Sequence, residues 1–227
     1  MSICVIPARG GSKRIPRKNI RAFYGTPIIG WSIKTAQESG LFDHVVVSTD
    51  DAEIAEVSRD LGAEVPFLRP DKLSNDFAGT APVIAHAIET LGISGDVPVC
   101  CLYATAPFVQ SSDLKQGLVA VQHGARYAVS VTQYDYPIQR ALRRAKDGAI
   151  AMIDPEQLQT RSQDLEDTWH DAGQFYWGLA SSWIADPAVF NSGSFGVPLP
   201  SHRVVDIDTP EDWSRAEVLF KVLHQWS

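Results

Sequence analysis

The chain has 227 residues, is 44% hydrophobic and 21% charged, and carries a formal net charge of −7. This composition excludes collagen-like, low-complexity and disordered classes, and the length fits one large α/β domain, or one domain with a small appendage, able to bury a core without a disulfide or structural metal. No run approaches the ~18 consecutive apolar residues of a membrane span, and Cys4, Cys100 and Cys101 sit in apolar runs without metal-ligand spacing, which predicts reduced core thiols in a cytoplasmic protein.

In chain order, residues 3–6 form a β-branched run without polar alternation, as expected for a strand covered on both faces. Residues 1–37 then contain Arg9, Lys13, Arg14, Arg17, Lys18, Arg21 and Lys34 and no acid, so they carry +7 and leave −14 for the remainder of a chain whose total is −7. A cationic pocket in an acidic protein predicts a small polyanion as partner and no nucleic-acid groove. An acid-free, Arg-rich start also fits a transit peptide, but Pro7, Gly10, Gly11 and Pro16 interrupt the amphipathic helix that such a peptide needs.

Pro27 suits a first helical position, with Ile29, Ile33 and Ala36 on the buried face. Residues 44–48 predict a second buried strand, and Asp50 a cap for a helix with core positions Ile54, Val57 and Leu61. A short strand is expected at 63–67 and a loop at 68–79. Ile84, Ala87, Ile88 and Leu91 mark a helix, residues 97–103 a strand, Leu114, Leu118 and Val121 a helix, and residues 127–132 a strand.

From 136 to 171 the pattern degrades into mixed polar and basic residues, which predicts an excursion from the sheet, a lid or dimerisation arm, because structureless loops this long are uncommon. The chain re-enters the core at 175–179. Residues 204–208 predict a last strand, with Thr209 as N-cap and Pro210 in the first turn of a helix whose stripe is Trp213, Ala216, Phe220 and Leu223. This rhythm predicts a mainly parallel sheet with helices on both faces, and ligands at the loops after residues 7, 49 and 103.

The loop after the first strand reads Pro-Ala-Arg-Gly-Gly-Ser-Lys-Arg-Ile-Pro-Arg-Lys-Asn over residues 7–19. Gly10 and Gly11 let backbone N–H groups approach an anion, Ser12 can donate a hydrogen bond, and Arg9, Lys13 and Lys18 can neutralise a triphosphate. The spacing matches neither the Walker loop nor the dinucleotide glycine pattern. Asp206 and Asp208, two apart on a strand, share one side and can reach one hard cation such as Mg²⁺. Equally, Asp208 can help cap the next helix while Asp206 lies on the surface.

The run Ile6-Pro7-Ala8-Arg9-Gly10-Gly11-Ser12-Lys13, with Lys18-Asn19, resembles the signature of the CMP-sialate synthetases. Further matches are Val47-Ser48-Thr49-Asp50-Asp51, Arg69-Pro70 with Leu73-Ser74 and Asp76, and Asp206-Ile207-Asp208-Thr209-Pro210-Glu211-Asp212. Tyr103-Ala104-Thr105-Ala106-Pro107-Phe108, the run 161–166 and His170-Asp171-Ala172-Gly173-Gln174-Phe175-Tyr176-Trp177-Gly178 look like the pseudaminic acid cytidylyltransferase branch. The resemblance spans nearly the whole chain.

It implies a Rossmann-like, three-layer α/β/α nucleotidyltransferase fold in one domain, 1–227, and a cytoplasmic homodimer that joins CTP to a nine-carbon acidic keto-sugar, releasing pyrophosphate. Arg9, Lys13, Lys18 and Asp208 become the expected catalytic groups. Ala8, Arg9, Gly11, Ser12, Lys13, Lys18, Asn19, Arg69, Asp76 and Thr80 become the CTP contacts, and Asp206 with Asp208 the Mg²⁺ ligands. Tyr103, Arg140, Arg161, Asp171, Gln174 and Phe175 are expected on the sugar side, with an arginine gripping the sugar carboxylate. His170 and Tyr176 are further polar groups there. The general base stays open among His170, Asp171 and a metal-bound water. Sialate synthetases carry a Gln at the position of Tyr103, which points away from N-acetylneuraminate. Legionaminate and 3-deoxy-octulosonate are the alternative acids, and a metal-dependent glycosyltransferase and a nucleotide-sensing module are the alternative functions.

Overall fold

The structure, a computed structural model, describes residues 1–75 and 78–225. Strand β1 (Ile3–Pro7) leads through a 3-10 turn (Lys18–Ile20) to a small corner, β2 (Ala22–Phe23) with β3 (Thr26–Pro27), and to helix α1 (Ile28–Glu38). Then come β4 (His44–Ser48), α2 (Ala52–Asp60), α3 (Thr80–Thr90), β5 (Pro98–Leu102), α4 (Ser111–Gln122) and β6 (Tyr127–Gln133). The chain next leaves the sheet, forms the hairpin β7 (Leu142–Arg144) and β8 (Ile150–Met152), and returns as β9 (Trp169–Leu179). Helix α5 (Ala180–Ala185), strand β10 (Ser194–Pro198) and helix α6 (Pro210–Gln225) follow.

The main sheet has the order β10-β6-β9-β5-β1-β4. The β1–β4, β1–β5 and β6–β10 pairs are parallel, and β9 is antiparallel to both of its neighbours. Side chains alternate across this sheet because a strand repeats every two residues. Cys4, Ile6 and Cys100 pack on one face against α1, α2 and α4, while Ile3, Val5 and Cys101 pack on the other against α3 and α5. The three layers expected from the sequence are therefore present. Each fully buried aliphatic side chain contributes roughly 1.5–3 kcal/mol to holding them.

A third apolar cluster sets up the site. Ile15 from the basic loop, Phe23 from the first corner and Ile28 at the start of α1 pack with Val205, Ile207, Trp213 and Phe220. This core joins the loop behind β1 to the approach to α6, two segments at opposite ends of the sequence.

Several boundaries differ from expectation. Asp51, not Asp50, caps α2: its Oδ1 accepts the Ile54 N–H at 3.0 Å, while Asp50 Oδ1 accepts the Gly10 N–H at 3.0 Å. Helix α1 starts one residue after Pro27. Residues 63–67 make only isolated bridges, Val46 to Glu64 and Thr49 to Leu68 nearby. Residues 204–208 form no strand, although Val204 is extended. Their alternation is real, since Val205 and Ile207 are buried, but it serves the third cluster and not a ladder. The edge position beside β6 belongs to β10, whose short, half-exposed run gives little sequence signal. The cap of α6 matches expectation: Thr209 Oγ1 accepts the Asp212 N–H at 3.2 Å, and Asp212 Oδ2 accepts the Thr209 N–H at 2.9 Å. No helix among the described residues is long and apolar enough to cross a membrane.

Candidate active site

The basic loop is closed on itself before any ligand arrives. Ala8 extends the sheet by donating its N–H to Ser48 O at 2.9 Å, so the open loop begins at Arg9. Across the base of the loop, Asn19 Nδ2 donates to Arg9 O at 2.9 Å. Buried Ile15 anchors the tip side in the third cluster. Lys18 then reaches across to the far end of the chain: its Nζ donates to Ile207 O at 2.7 Å and lies 3.2 Å from Asp208 Oδ1. Arg14 Nη2 sits 2.7 Å from Asp208 Oδ2. The cationic turn and the aspartate pair thus adjoin.

Beside them opens a cavity of about 200 Å³ at the carboxyl ends of β1 and β5. The loop contributes Arg9, Ser12, Lys18 and Asn19 to its walls, and Arg69, Thr80 and Tyr103 come from the segments after β4, before α3 and after β5. Gly79 at the N-cap of α3 supplies no side-chain cap. The first N–H groups of that helix are therefore available to an electron-rich ligand atom, with the helix dipole favouring it. Arg69 is buried, donating Nη2 to Ser48 O at 2.6 Å and Nη1 to Leu73 O at 3.3 Å, and its Nε has no hydrogen-bond partner. Burial lowers its pKa, Asp50 opposes that shift, and Arg9 adds to it. A buried guanidinium with an unspent donor beside a second arginine suits a carbonyl-bearing, anionic ligand.

Asp206 and Asp208 flank buried Ile207 and so share the outward side of the segment. Burial and the Asp208 carboxylate push the Asp206 pKa up, and Lys18 opposes this. Among the described residues no three His, Cys, Asp or Glu side chains gather into a metal cage. Two neighbouring carboxylates fit a cation that takes its remaining ligands from phosphate and water, as Mg²⁺ does.

The sugar-side expectations divide. Tyr103 lines the cavity, and its hydroxyl lies 3.1 Å from Thr80 Oγ1 and 3.4 Å from the Tyr176 hydroxyl. Tyr176 donates to Asp171 Oδ2. Burial raises the pKa of both phenols, which keeps them neutral donors. Asp171 is brought there by a register shift between β6 and β9, where Ser130 Oγ accepts the N–H groups of Gln174 and Phe175 at 3.2 and 3.1 Å. Gly173 adopts a left-handed φ of 60° in this bulge.

Gln174 and Phe175 do not reach the cavity. Gln174 is buried and donates Nε2 to Arg203 O at 2.6 Å, and Phe175 is wholly buried in the core. Arg140 donates to Thr160 O, and Arg161 pairs with Asp164 at 2.7 Å, both within the excursion and off the cavity walls. Of the nucleotide contacts, Ala8 is buried with its N–H taken, Gly11 and Lys13 lie at the exposed surface of the loop, and Asp76 lies outside the described residues. Arg14, Arg17, Asp51 and Thr105, to which the sequence assigns no separate role, belong to the site or its frame. The adjacent acids after the second strand, at a position where ligands gather, were the available signal for Asp51.

Comparison with known proteins identifies the family. Residues 3–175 match the family described as Cytidylyltransferase. The chain is 44% identical over 227 residues to the pseudaminic acid cytidylyltransferase of Campylobacter jejuni subsp. jejuni serotype O:2, covering 99% of this chain and 98% of that one. It is 31% identical to the CMP-N,N'-diacetyllegionaminic acid synthase of Legionella pneumophila subsp. pneumophila, covering 97% and 96%. In fold it resembles the CTP-complexed structure of CMP:2-keto-3-deoxy-manno-octonic acid synthetase, with a TM-score of 0.72 at 14% identity over 97% of this chain and 98% of that one. The family match takes in the basic loop, Arg69, Tyr103 and most of β9, and the chain therefore belongs to the cytidylyltransferase family.

Proposed function

We propose that the enzyme couples CTP to a nine-carbon acidic keto-sugar, pseudaminic acid, giving the CMP-sugar and pyrophosphate. The observation that carries this reading is the 44% identity, end to end, with a relative of that name. The anomeric hydroxyl oxygen attacks the α-phosphorus, the bond from that phosphorus to the β-phosphate bridge breaks, and the hydroxyl proton passes to a base. Such a transfer depends on positioning and charge neutralisation. Arg9, Lys13 and Lys18 hold the triphosphate and the charge that grows on the leaving pyrophosphate. Arg69 and the start of α3 meet the cytosine, whose carbonyl and ring nitrogen suit their donors. Tyr103, Tyr176 and Asp171 offer hydroxyl and carboxylate groups to the sugar.

Asp206 and Asp208 are the residues that would hold Mg²⁺, which supplies further neutralisation of phosphate charge when bound. The chain acts as one domain. Exposed Tyr136, Ile150, Ile153 and Leu158 on the excursion support a homodimer formed through that arm. Buried, unbridged Cys4, Cys100 and Cys101 suit a cytoplasmic setting.

The test is pyrophosphate release from CTP with pseudaminate, legionaminate, N-acetylneuraminate and 3-deoxy-octulosonate in parallel. Pseudaminate is expected to give the highest kcat/KM. Preference for another acid would replace the substrate, and transfer from a CMP-sugar without CTP consumption would replace the reaction. Light scattering that showed a monomer would remove the dimer.

A further inference from the structure

Arg17 of the basic loop is held by two carboxylates at the start of α2. Arg17 adopts a left-handed backbone (φ 57°, ψ 30°), a conformation that side chains other than glycine's seldom take. Its guanidinium grips Asp51 with both prongs, Nη1 to Oδ2 at 2.6 Å and Nη2 to Oδ1 at 2.9 Å, and Nη2 also meets the Glu53 carboxylate. Asp51 cannot readily follow a moving loop, because its Oδ1 caps α2 through the Ile54 N–H. The other arm of the loop rests on the neighbouring acids Asp50 and Asp51. Asp50 takes the Gly10 N–H, and a Cβ built on Gly10 would lie 2.6 Å from Asp51 Oδ2. Lys18, the next residue after Arg17, points its Nζ at Ile207 O and Asp208.

We propose that Arg17 is a positioning residue that pins the loop to the start of α2 and so aims Lys18 and Arg9 at the triphosphate, without touching CTP itself. This rests on the reading of the cavity as the CTP site. Two carboxylates already share the Arg17 guanidinium, so a turn toward phosphate would strand both acids beside an anion. The left-handed turn marks where the chain reverses to bring Arg17 onto α2 and Lys18 onto the aspartate segment. A bidentate arginine–carboxylate pair fixes direction as well as distance, which a single point charge does not.

The experiment measures CTP affinity by calorimetry, steady-state KM and kcat, and Tm for wild type, Arg17→Gly, Arg17→Ala, Arg17→Lys, Asp51→Asn and the Arg17→Ala/Asp51→Asn pair. Asparagine is itself a good N-cap, so α2 keeps its start in the Asp51→Asn variant. Arg17→Gly and Arg17→Ala are each expected to weaken CTP binding and raise KM for CTP by about ten-fold or more. Arg17→Lys should recover part of that loss, and the double variant should be no worse than Arg17→Ala alone. Wild-type affinity in Arg17→Gly would overturn the proposal, since the backbone turn would then suffice without the guanidinium. Multiplying losses in the double variant would overturn it too, because Arg17 would then act on CTP independently of Asp51. A lower Tm with unchanged KM would reduce the pin to a stability element and also defeat it. Failure of the wild-type protein to bind CTP at all would sink the underlying site as well, and so is told apart from the other outcomes.

Discussion

Lys18 Nζ and Asp208 Oδ1 stand 3.2 Å apart although 190 positions separate them in the chain. The third apolar cluster makes this meeting possible, because Ile15 and Ile207 are buried in one core while their polar neighbours face outward. Charge and packing therefore cooperate: the apolar side chains bring the segments together, and the ammonium that lines the cavity pairs with the carboxylate beside it.

Lys18→Ala and Asp208→Asn are expected to lower kcat by about 100-fold or more, the scale for loss of one group that stabilises developing charge. Both side chains are partly exposed, so the fold should survive. Pyrophosphate release gives the rate, and circular dichroism with a thermal melt checks the fold. Near wild-type turnover in either variant would remove that residue from the reaction.

Arg69→Lys should raise KM for CTP by about ten-fold, since an ammonium cannot reproduce a guanidinium fork. It should also cost about 1–3 kcal/mol of stability, because Ser48 O or Leu73 O loses its buried donor. Kinetics and urea unfolding measure the two effects separately. An unchanged KM with lowered stability would make Arg69 a framework residue only.

Stability should fall in acid through Asp51. Hydrogen bonds from Arg17, in a contact that burial opposes, hold its pKa at about 2 against an ordinary 3.8. A lowered folded-state value means that the contribution is complete above about pH 4 and is lost as pH falls toward 2. After screening of the half-exposed arginine it amounts to about 1–2 kcal/mol. Urea titrations between pH 5 and pH 2 should show a smaller loss in Asp51→Asn than in wild type, and equal slopes would contradict the pairing.

Tyr103→Phe removes the hydroxyl that connects Thr80 with Tyr176. The expected result is a fall of about ten-fold in kcat/KM for the keto-sugar with little change in KM for CTP. Varying each substrate in turn makes the distinction, and a loss confined to CTP would move Tyr103 to the nucleotide side.

The cavity wall formed by the basic loop was legible because its residues are local. Glycines, cations and a strand end within thirteen residues predict an open turn at the sheet's edge, and Arg9, Ser12, Lys18 and Asn19 of that turn line the cavity. The sugar half was less so, since it depends on how β9 turns its side chains after the bulge at Gly173. Asp171 emerges beside Tyr176, while Gln174 and Phe175, equally plausible by composition, turn into the interior. The run 204–208 shows the same limit. Alternating burial told correctly which side chains go inward, but whether a ladder or an apolar cluster lies beneath depends on remote residues such as Trp213 and Phe220. The cap of α2 moved by one position, to Asp51, because adjacent aspartates can both cap and Asp50 is engaged by the Gly10 N–H.

The arm between β6 and β9 departs at Gln133 and returns at Trp169, residues that are direct register partners on adjacent strands. Its two roots thus lie one strand spacing apart. Any segment with ends that close could be grafted there while the sheet stayed continuous beneath it, which makes this span a natural insertion port, open to replacement independently of the nucleotide loop.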